Sequence, residues 1–301
     1  MSNLLIDTRV GIGFANGHHG EILQGIFCGV DGRLHRGLIT LPNHTVGTLA
    51  RFVSNGSSKI TVSPEDRIKA KRAAEITSKV LSGRIIGGTL TLFSKGAIGR
   101  GLGSSTSDVV ATIWAIANSL QVTMSAYQVA EIAVLAEEAS DSIMFRDNTV
   151  LFAHREGIVL HHFNGPLPPL QVLGFDTLRE SIDMIDTLKL ELPNYSPEEV
   201  EAFRVLHGLL EHAIQTQDAS LVGCVSTASS IINQKYLPKP YFDDIMSISQ
   251  DVKALGVQVA HSGSVVGILF SPSDKFLKDK LKNARKLIQE IGFDPYEIQC
   301  F

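Results

Sequence analysis

A stretch rich in glycine and hydroxyl residues, Lys95 to Asp108, constrains the fold of this 301-residue chain more than any other segment. It reads Lys-Gly-Ala-Ile-Gly-Arg-Gly-Leu-Gly-Ser-Ser-Thr-Ser-Asp. The glycines let the backbone turn where a side chain would block it, and the hydroxyls are typical of a helix start. Val109, Ile113 and Ala117 then follow at helical spacing, which predicts a core-facing helix. Its first N–H groups would face the glycines, an arrangement that binds anions.

Two common phosphate-binding motifs do not fit this stretch. A P-loop places Lys and then Ser or Thr after its last glycine, whereas Gly103 is followed by Ser104 and Ser105. The glycine spacing also differs from the G-x-G-x-x-G of dinucleotide-binding folds. A tight loop that only caps a buried helix is the alternative, but one glycine and one hydroxyl suffice for a cap. The repetition of both residue types therefore favours an anion-binding loop.

The composition indicates a globular protein and excludes several partners. The 44% hydrophobic and 19% charged residues are typical of one large domain or two moderate ones. A net charge of −4 offers no basic surface for nucleic acid, and we interpret the cluster Arg67–Arg72 as a solvated helix face. Without an apolar run of roughly 18 residues or a secretion signal, the chain is expected in the cytoplasm, away from membranes. Cys28, Cys224 and Cys300 form no C-x-x-C pair and predict neither a disulfide framework nor a zinc site.

Near the N-terminus, the segment Gly13–Gly25 is rich in glycine and polar residues. This composition is unusual for a strand and predicts a loop that lines a site. His18 and His19 within it are candidate ligands or bases. Adjacent side chains of an extended segment point in opposite directions, so we expect at most one of these histidines to reach a given site.

A second helix is predicted from Ser125 to about residue 139, and acidic residues collect where it ends. Glu138 and Asp141 lie three residues apart at this point. One interpretation is a frayed helix end with solvated acids. The helix dipole disfavours carboxylates at a C-terminus, however, so their accumulation favours a role in binding a cation or in acid–base chemistry.

A domain boundary is predicted at Asn164–Pro169, the densest proline and glycine cluster of the chain. Helices are predicted at Pro197–Thr216 and Ala219–Asn233, and Gly256–Phe270 reads as two strands joined by a small polar turn. The second part of the chain thus has an α+β pattern of the ferredoxin-like kind. The turn at His261–Ser264 is either a plain hairpin or a place where a phosphate or substrate approaches the backbone closely.

Three separated motifs resemble those of the galactokinase, homoserine, mevalonate and phosphomevalonate (GHMP) kinase superfamily, in the same order. The stretch 101–107 is similar to the G-L-G-S-S-x-A motif, Gly20-Glu21 to the N-terminal motif, and Gly256–Phe270 to the third. Within the superfamily, the strings at 20–25, 103–108 and 138–142 resemble those of L-threonine kinases of the propanediol-utilisation and cobamide type.

The resemblance implies a two-domain α+β fold. Residues 1–163 would form a ribosomal-protein-S5-like α/β domain that binds ATP, and residues 164–301 a ferredoxin-like domain. It also implies Ser105 and Glu138 as magnesium ligands, Ser105 and Asp141 as catalytic residues, and Asp141 as the group that orients or deprotonates the acceptor hydroxyl. The residues implied for ATP binding are Lys95, Gly99, Gly101, Leu102, Gly103, Ser104, Ser105 and Thr106.

The implied acceptor is the side-chain hydroxyl of L-threonine or a similar hydroxy-amino acid. Whether the protein forms a homodimer is left open. Alternatives are homoserine, a mevalonate-like acid, a natural-product intermediate, or a nucleotide-binding module without catalysis. Candidate substrate residues are His18, His19, Glu21, Asp141, Ser142, His261, Ser262 and Gly263, and Arg36, His35 and Glu21 are candidates for holding an amino acid.

One departure from the superfamily concerns a lysine that often precedes the Gly-Glu pair. Here Ala15, Asn16 and Gly17 stand in that region. The candidates for a compensating cation are Lys95, Arg100, His18, His19 and Arg146.

Overall fold

Two long antiparallel strands, β1 and β2, form the centre of the sheet. The computed structural model describes residues 8–95, 103–146, 148–178, 194–261 and 263–300. Its strands are β1 Val10–Cys28, β2 Leu34–Ser54, β3 Ile60–Ser63, β4 Gly88–Lys95, β5 Val150–Ala153, β6 Ile158–His162, β7 Leu170–Asp176, β8 Gly256–Val259, β9 Val265–Phe270 and β10 Tyr296–Cys300. Its helices are α1 Ile68–Ser82, α2 Ser104–Ser119, α3 Ala126–Glu137, α4 Pro197–Thr216, α5 Ala219–Asn233, α6 Phe242–Asp251 and α7 Leu277–Glu290.

The strands form one mixed sheet in the order β10-β7-β9-β8-β1-β2-β4-β3, and β5 pairs with β2 and β6 beside it. β1 and β2 pair from Val10 opposite Val53 to Cys28 opposite Leu34, with register shifts near His18 and Glu21. Glu21 also pairs with Val259 of β8. The N-terminal and C-terminal parts of the chain therefore meet in the sheet at Glu21.

The segment Gly13–Gly25 is part of β1, so the prediction of a loop there was wrong. The glycines reflect close packing. A Cβ on Gly13 would lie 2.1 Å from the carbonyl oxygen of Ala111 in α2. Gly20 has a φ of +61°, and a Cβ there would lie 2.1 Å from Oε1 of Gln258. Glycine thus lets α2 and β8 approach the strand closely, while the irregular pairing lets β1 present polar side chains.

Helices cover the sheet in three groups, each with its own apolar cluster. Side chains of α1, α2 and α3 pack on β1 to β4, for example Val109 and Ile113 against Phe52. Side chains of α4 and α5 pack on β1, β2, β7 and β10, and those of α6 and α7 on β7, β8 and β9. The middle cluster combines Ile22 with Phe203, so it spans the boundary predicted at residues 163/164, which stays a prediction. The mixed α+β class is confirmed.

Candidate active site

A cavity of about 760 Å³ lies where β1, the first turn of α2, the residues after α3 and the turn after β8 come together. His18, Ser105, Asp141 and His261 are among the side chains that line it. The cavity therefore brings together segments that are far apart in the sequence, including the first turn of the helix predicted after the glycine-rich stretch.

The first turn of α2 forms one wall of the cavity. Gly103 precedes the helix with a φ of 68°, and no side chain caps the helix. A Cβ on Gly103 would lie 2.1 Å from Cδ2 of His18, so only glycine allows the imidazole to pack against this turn. Ser104 and Ser105 are half-buried and Thr106 is buried. The backbone N–H groups of this turn are thus placed to bind an anion in the cavity.

The centre of the cavity holds an ion pair between His18 and Asp141. Nε2 of His18 lies 2.8 Å from Oδ2 of Asp141, and both side chains are largely shielded from solvent. The hydroxyl of Thr106 donates a hydrogen bond of 3.1 Å to the same Oδ2. Both contacts involve Oδ2, so Oδ1 is the oxygen left to accept a hydrogen bond from a ligand.

Electrostatics favours the charged form of this pair. Burial alone would lower the pKa of His18, but the carboxylates of Asp141, Glu21 and Glu137 raise it to about 9. Burial opposes ionisation of Asp141 as well, yet the adjacent imidazolium and the Thr106 hydroxyl hold its pKa below the usual range. Burial raises the pKa of Glu21, which lies 3.9 Å from Nδ1 of His18.

A second carboxylate lies at the same cavity, and it belongs to Glu137. The Ser105 hydroxyl donates to its Oε2 at 3.0 Å, whereas its buried Oε1 has no hydrogen-bond partner among the described residues. Burial and the charge of Asp141 raise the pKa of Glu137 to about 7. A bound cation would give Oε1 of Glu137 a partner and would offset the negative charge of the neighbouring carboxylates.

Glu138, the residue predicted as a magnesium ligand, does not take this position. It ends α3 in a left-handed conformation with a φ of 68°, and it is not among the residues that line the cavity. The side chain is 60% exposed and lies 3.9 Å from Arg72. The carboxylate beside Ser105 therefore comes from the preceding residue.

Among the described candidates for the compensating cation, His18 pairs with Asp141. His19 faces away from the cavity, where its ring contacts Gln258 and Tyr296. Arg146 contacts the carbonyl oxygen of Phe14 and lies over the ring of Trp114. Lys95 ends β4, and Arg100 lies outside the described residues.

The other predicted site residues divide into four groups. Glu21, His261 and Gly263 line the cavity together with His18 and Asp141. Ser142 is buried and its backbone N–H donates to Thr40. His35 lies between Asp31 and Glu156, and neither it nor Arg36 is among the residues that line the cavity. Gly99, Gly101, Leu102 and Ser262 lie outside the described residues.

Sequence reasoning missed several basic residues of the cavity. Arg67, interpreted as part of a solvated face, is only 14% exposed and its Nε lies 3.0 Å from the buried carboxylate of Asp108. Asp108 also accepts hydrogen bonds from the hydroxyls of Thr48 and Ser94. His154, Arg155 and Lys239 also line the cavity. The prolines at 238 and 240 could have drawn attention to Lys239 in the sequence, because they restrict the backbone on both sides of this lysine.

The residues present fit a magnesium ion at Ser105 and Glu137. Magnesium prefers hard oxygen ligands, and the unpartnered Oε1 of Glu137 offers one beside the Ser105 hydroxyl. His18, Glu21 and Asp141 also bring possible ligand atoms within 4.8 Å of one another. The raised pKa of His18 keeps its ring protonated at neutral pH, and an imidazolium has no lone pair for a metal. This second cluster is therefore better described as an ion-pair group.

The His18 ion pair predicts a pH-dependent stability. Because the pKa of His18 rises from 6.5 to about 9 on folding, its contribution is complete below pH 6.5 and is lost as the pH rises through 9. The pKa of Glu21 is also raised on folding, so its ionisation likewise lowers the stability as the pH rises. The pKa of Asp141 is lowered, so its titration changes the stability only in acid. Urea unfolding should show His18→Gln less stable than wild type by on the order of a few kcal/mol at about pH 6, and the difference should shrink at about pH 10. An equal difference at both pH values would contradict the charged pair.

Comparisons with known proteins agree with the fold. Residues 69–146 match the family model described as the GHMP kinases N terminal domain. L-threonine kinase of Salmonella typhimurium is 31% identical over 175 residues, which cover 57% of this chain and 56% of that protein. The match thus spans little more than half the length of this curated relative.

Solved structures extend the likeness of fold over the whole chain. Homoserine kinase from Cytophaga hutchinsonii has a TM-score of 0.74 at 16% identity, covering 100% of this chain and 96% of the other. Lactococcus lactis galactokinase complexed with galactose has a TM-score of 0.71 at 11% identity, covering 97% and 93%.

The resemblance to the GHMP kinase superfamily is therefore confirmed: residues 69–146 match its N-terminal domain, and the chain as a whole has its fold. Within that class, the curated relatives matched in sequence are L-threonine kinases, from Salmonella typhimurium and Citrobacter freundii. No helix in the described part of the chain combines the length and apolar character needed to cross a membrane.

Proposed function

We propose that this chain is an ATP- and magnesium-dependent kinase that transfers the γ-phosphate to the side-chain hydroxyl of L-threonine or a similar hydroxy-amino acid. The observation that carries the proposal is the buried His18–Asp141 pair beside the first turn of α2. This arrangement places an ionised carboxylate, which can hold an acceptor hydroxyl, next to a helix start that can bind an anion. The 31% identity to L-threonine kinases supports threonine as the first acceptor to test.

The nucleotide phosphates would bind at the first turn of α2. Its backbone N–H groups from Ser104 to Thr106 supply donors, and the helix dipole favours the negative charge. Arg67 and Lys69 line the same cavity and add positive charge. Such binding neutralises and orients the phosphates without a covalent intermediate, which suits a reaction whose transition state is loose.

Magnesium would be held by Ser105 and Glu137, and when bound it would neutralise charge on the phosphate oxygens. The role of the two residues is to supply oxygen ligands next to the helix start. The Ser105–Glu137 hydrogen bond of 3.0 Å keeps the two groups together.

Asp141 would orient the acceptor hydroxyl. The acceptor oxygen forms a bond to the γ-phosphorus, the bond from phosphorus to the bridging oxygen breaks, and the hydroxyl proton passes to the carboxylate. Because His18 holds the pKa of Asp141 low, the carboxylate is a weak base. It therefore aligns the hydroxyl first and takes up the proton late, as a loose transition state allows.

A phosphotransfer screen tests the proposal. Purified protein with magnesium and ATP is incubated with hydroxylated amino acids, mevalonate and short alcohols, and products are detected by mass. We expect L-threonine or a close hydroxy-amino acid to gain one phosphoryl group. ATP hydrolysis without a phosphorylated acceptor would contradict the proposal and favour a nucleotide-binding module.

A further inference from the structure

His154, His261 and Lys239 line the cavity and contact one another, His154 with His261 through their rings and Lys239 with the backbone of His261, and they form its basic wall. We propose that this wall binds the carboxylate of the acceptor, so that the substrate of this cavity is a hydroxy acid rather than a neutral alcohol or sugar. The inference rests on the proposed kinase function, because it assigns the acceptor end of the same site.

His154 is the central residue of this wall. It follows β5, is only 5% exposed, and neither ring nitrogen has a hydrogen-bond partner among the described residues. Its carbonyl oxygen accepts a hydrogen bond of 2.9 Å from the N–H of Ser140, which places it next to Asp141. A buried imidazole without partners is costly, so a ligand in the cavity is the natural source of its missing hydrogen bond.

The ring of His154 is held in place and is neutral. It packs edge-on against the ring of His261, with 5.0 Å between the ring centroids. Burial lowers the pKa of His154 to about 4. At neutral pH the ring thus carries one N–H, which can donate to a carboxylate oxygen, while the charge of the carboxylate must be balanced by other residues.

Lys239 supplies that charge. Its Nζ donates to the carbonyl oxygen of Gly263 at 2.8 Å and lies 3.4 Å from that of His261. These two carbonyls account for two of the three hydrogens of the ammonium group. Burial lowers the pKa of Lys239 to about 8, so the group stays largely protonated at neutral pH. Arg155 also lines the cavity.

The same cavity therefore offers an acceptor for a hydroxyl and donors for a carboxylate. Asp141 lines it together with His154 and Lys239. A hydroxy acid can place its hydroxyl at Asp141 and its carboxylate at His154 and Lys239. A neutral alcohol would leave the basic wall without an anion, and its binding would lose a hydrogen bond to a charged group.

Isothermal titration calorimetry tests this assignment with pairs of ligands that differ at the carboxylate. L-Threonine is compared with L-threoninol, and L-homoserine and L-serine with their amino alcohols, in the presence of magnesium and a non-hydrolysable ATP analogue. The variants are His154→Phe, which keeps the ring contact, His154→Gln, which keeps a donor, and Lys239→Met. His161→Phe is the control, since His161 also packs edge-on against another imidazole ring, that of His207, but does not line this cavity.

We expect wild type and His161→Phe to bind at least one hydroxy acid about tenfold or more tightly than its amino alcohol. His154→Phe and Lys239→Met should reduce that preference to about twofold or less, and His154→Gln should restore part of it. The affinity for the ATP analogue should not change.

Several results would overturn the assignment. These are equal binding of acid and alcohol by wild type, an unchanged preference in His154→Phe and Lys239→Met, a loss of affinity for the ATP analogue alone, or no binding of any hydroxy acid tested. If either variant is unfolded in circular dichroism, the other and His154→Gln still decide the outcome. Carboxylate-dependent binding of a hydroxy acid, with no hydroxy-amino acid phosphorylated in the phosphotransfer screen, would refute the proposed function and leave this inference intact.

Discussion

Replacing Asp141 by Asn should lower the rate of phosphoryl transfer by roughly a hundredfold to ten-thousandfold. The amide keeps the size of the side chain and can still accept the Thr106 hydrogen bond. It cannot take up the acceptor proton, and it loses the ion pair of 2.8 Å with His18. The effect should appear in kcat, while the KM for ATP should stay within about threefold, because Asp141 lies outside the first turn of α2.

The experiment is a steady-state assay of ADP release with L-threonine and magnesium. A thermal unfolding curve of Asp141→Asn establishes that the variant is folded. Thr106→Val serves as a control, because it removes the neighbouring hydroxyl and leaves the carboxylate, and should cost far less activity. A folded Asp141→Asn that works at the wild-type rate would show that this carboxylate does not handle the acceptor hydroxyl.

The second large loss of activity is expected on replacement of Glu137, and the adjacent Glu138 provides the control. Glu137→Gln should reduce activity on the order of a hundredfold and raise the magnesium concentration needed for half-maximal rate, because it removes the proposed oxygen ligand beside Ser105. Glu138→Gln is a matched control with the same chemical change. Its side chain is 60% exposed and lies near Arg72, so activity should remain within about twofold.

Both variants are assayed over a magnesium titration at fixed ATP. The opposite ranking, with Glu138→Gln inactive and Glu137→Gln active, would support the carboxylate expected from the sequence. It would mean that the end of α3 rearranges when the nucleotide binds.

The start of α2 could be predicted from the sequence because its signal is local. Glycine at 103, hydroxyls at 104 to 107 and an apolar helical stripe depend on neighbouring residues, and the structure places the helix at Ser104–Ser119. Asp141 was selected through its position after α3 and through the superfamily resemblance, and it lies in the cavity as expected. The statement that adjacent histidines diverge was also correct, since His18 enters the cavity and His19 does not.

Features that depend on tertiary packing could not be predicted in the same way. Glu137 and Glu138 are indistinguishable as sequence, and the hydrogen bond from Ser105 shows which one lines the cavity. The glycines of β1 suggested a loop, whereas they allow α2 and β8 to approach. Arg67 and His154 carry no local signal, because their environment comes from residues about 40 and 100 positions away, as with Asp108 and His261.

The most direct test of the central claim is phosphorus NMR of one reaction mixture. Wild-type protein, magnesium, ATP and L-threonine are incubated together, with Asp141→Asn in parallel. The proposed function predicts equal amounts of ADP and O-phospho-L-threonine from the wild type and almost none from the variant. ADP with inorganic phosphate and no phosphorylated threonine, or equal product from both proteins, would contradict it.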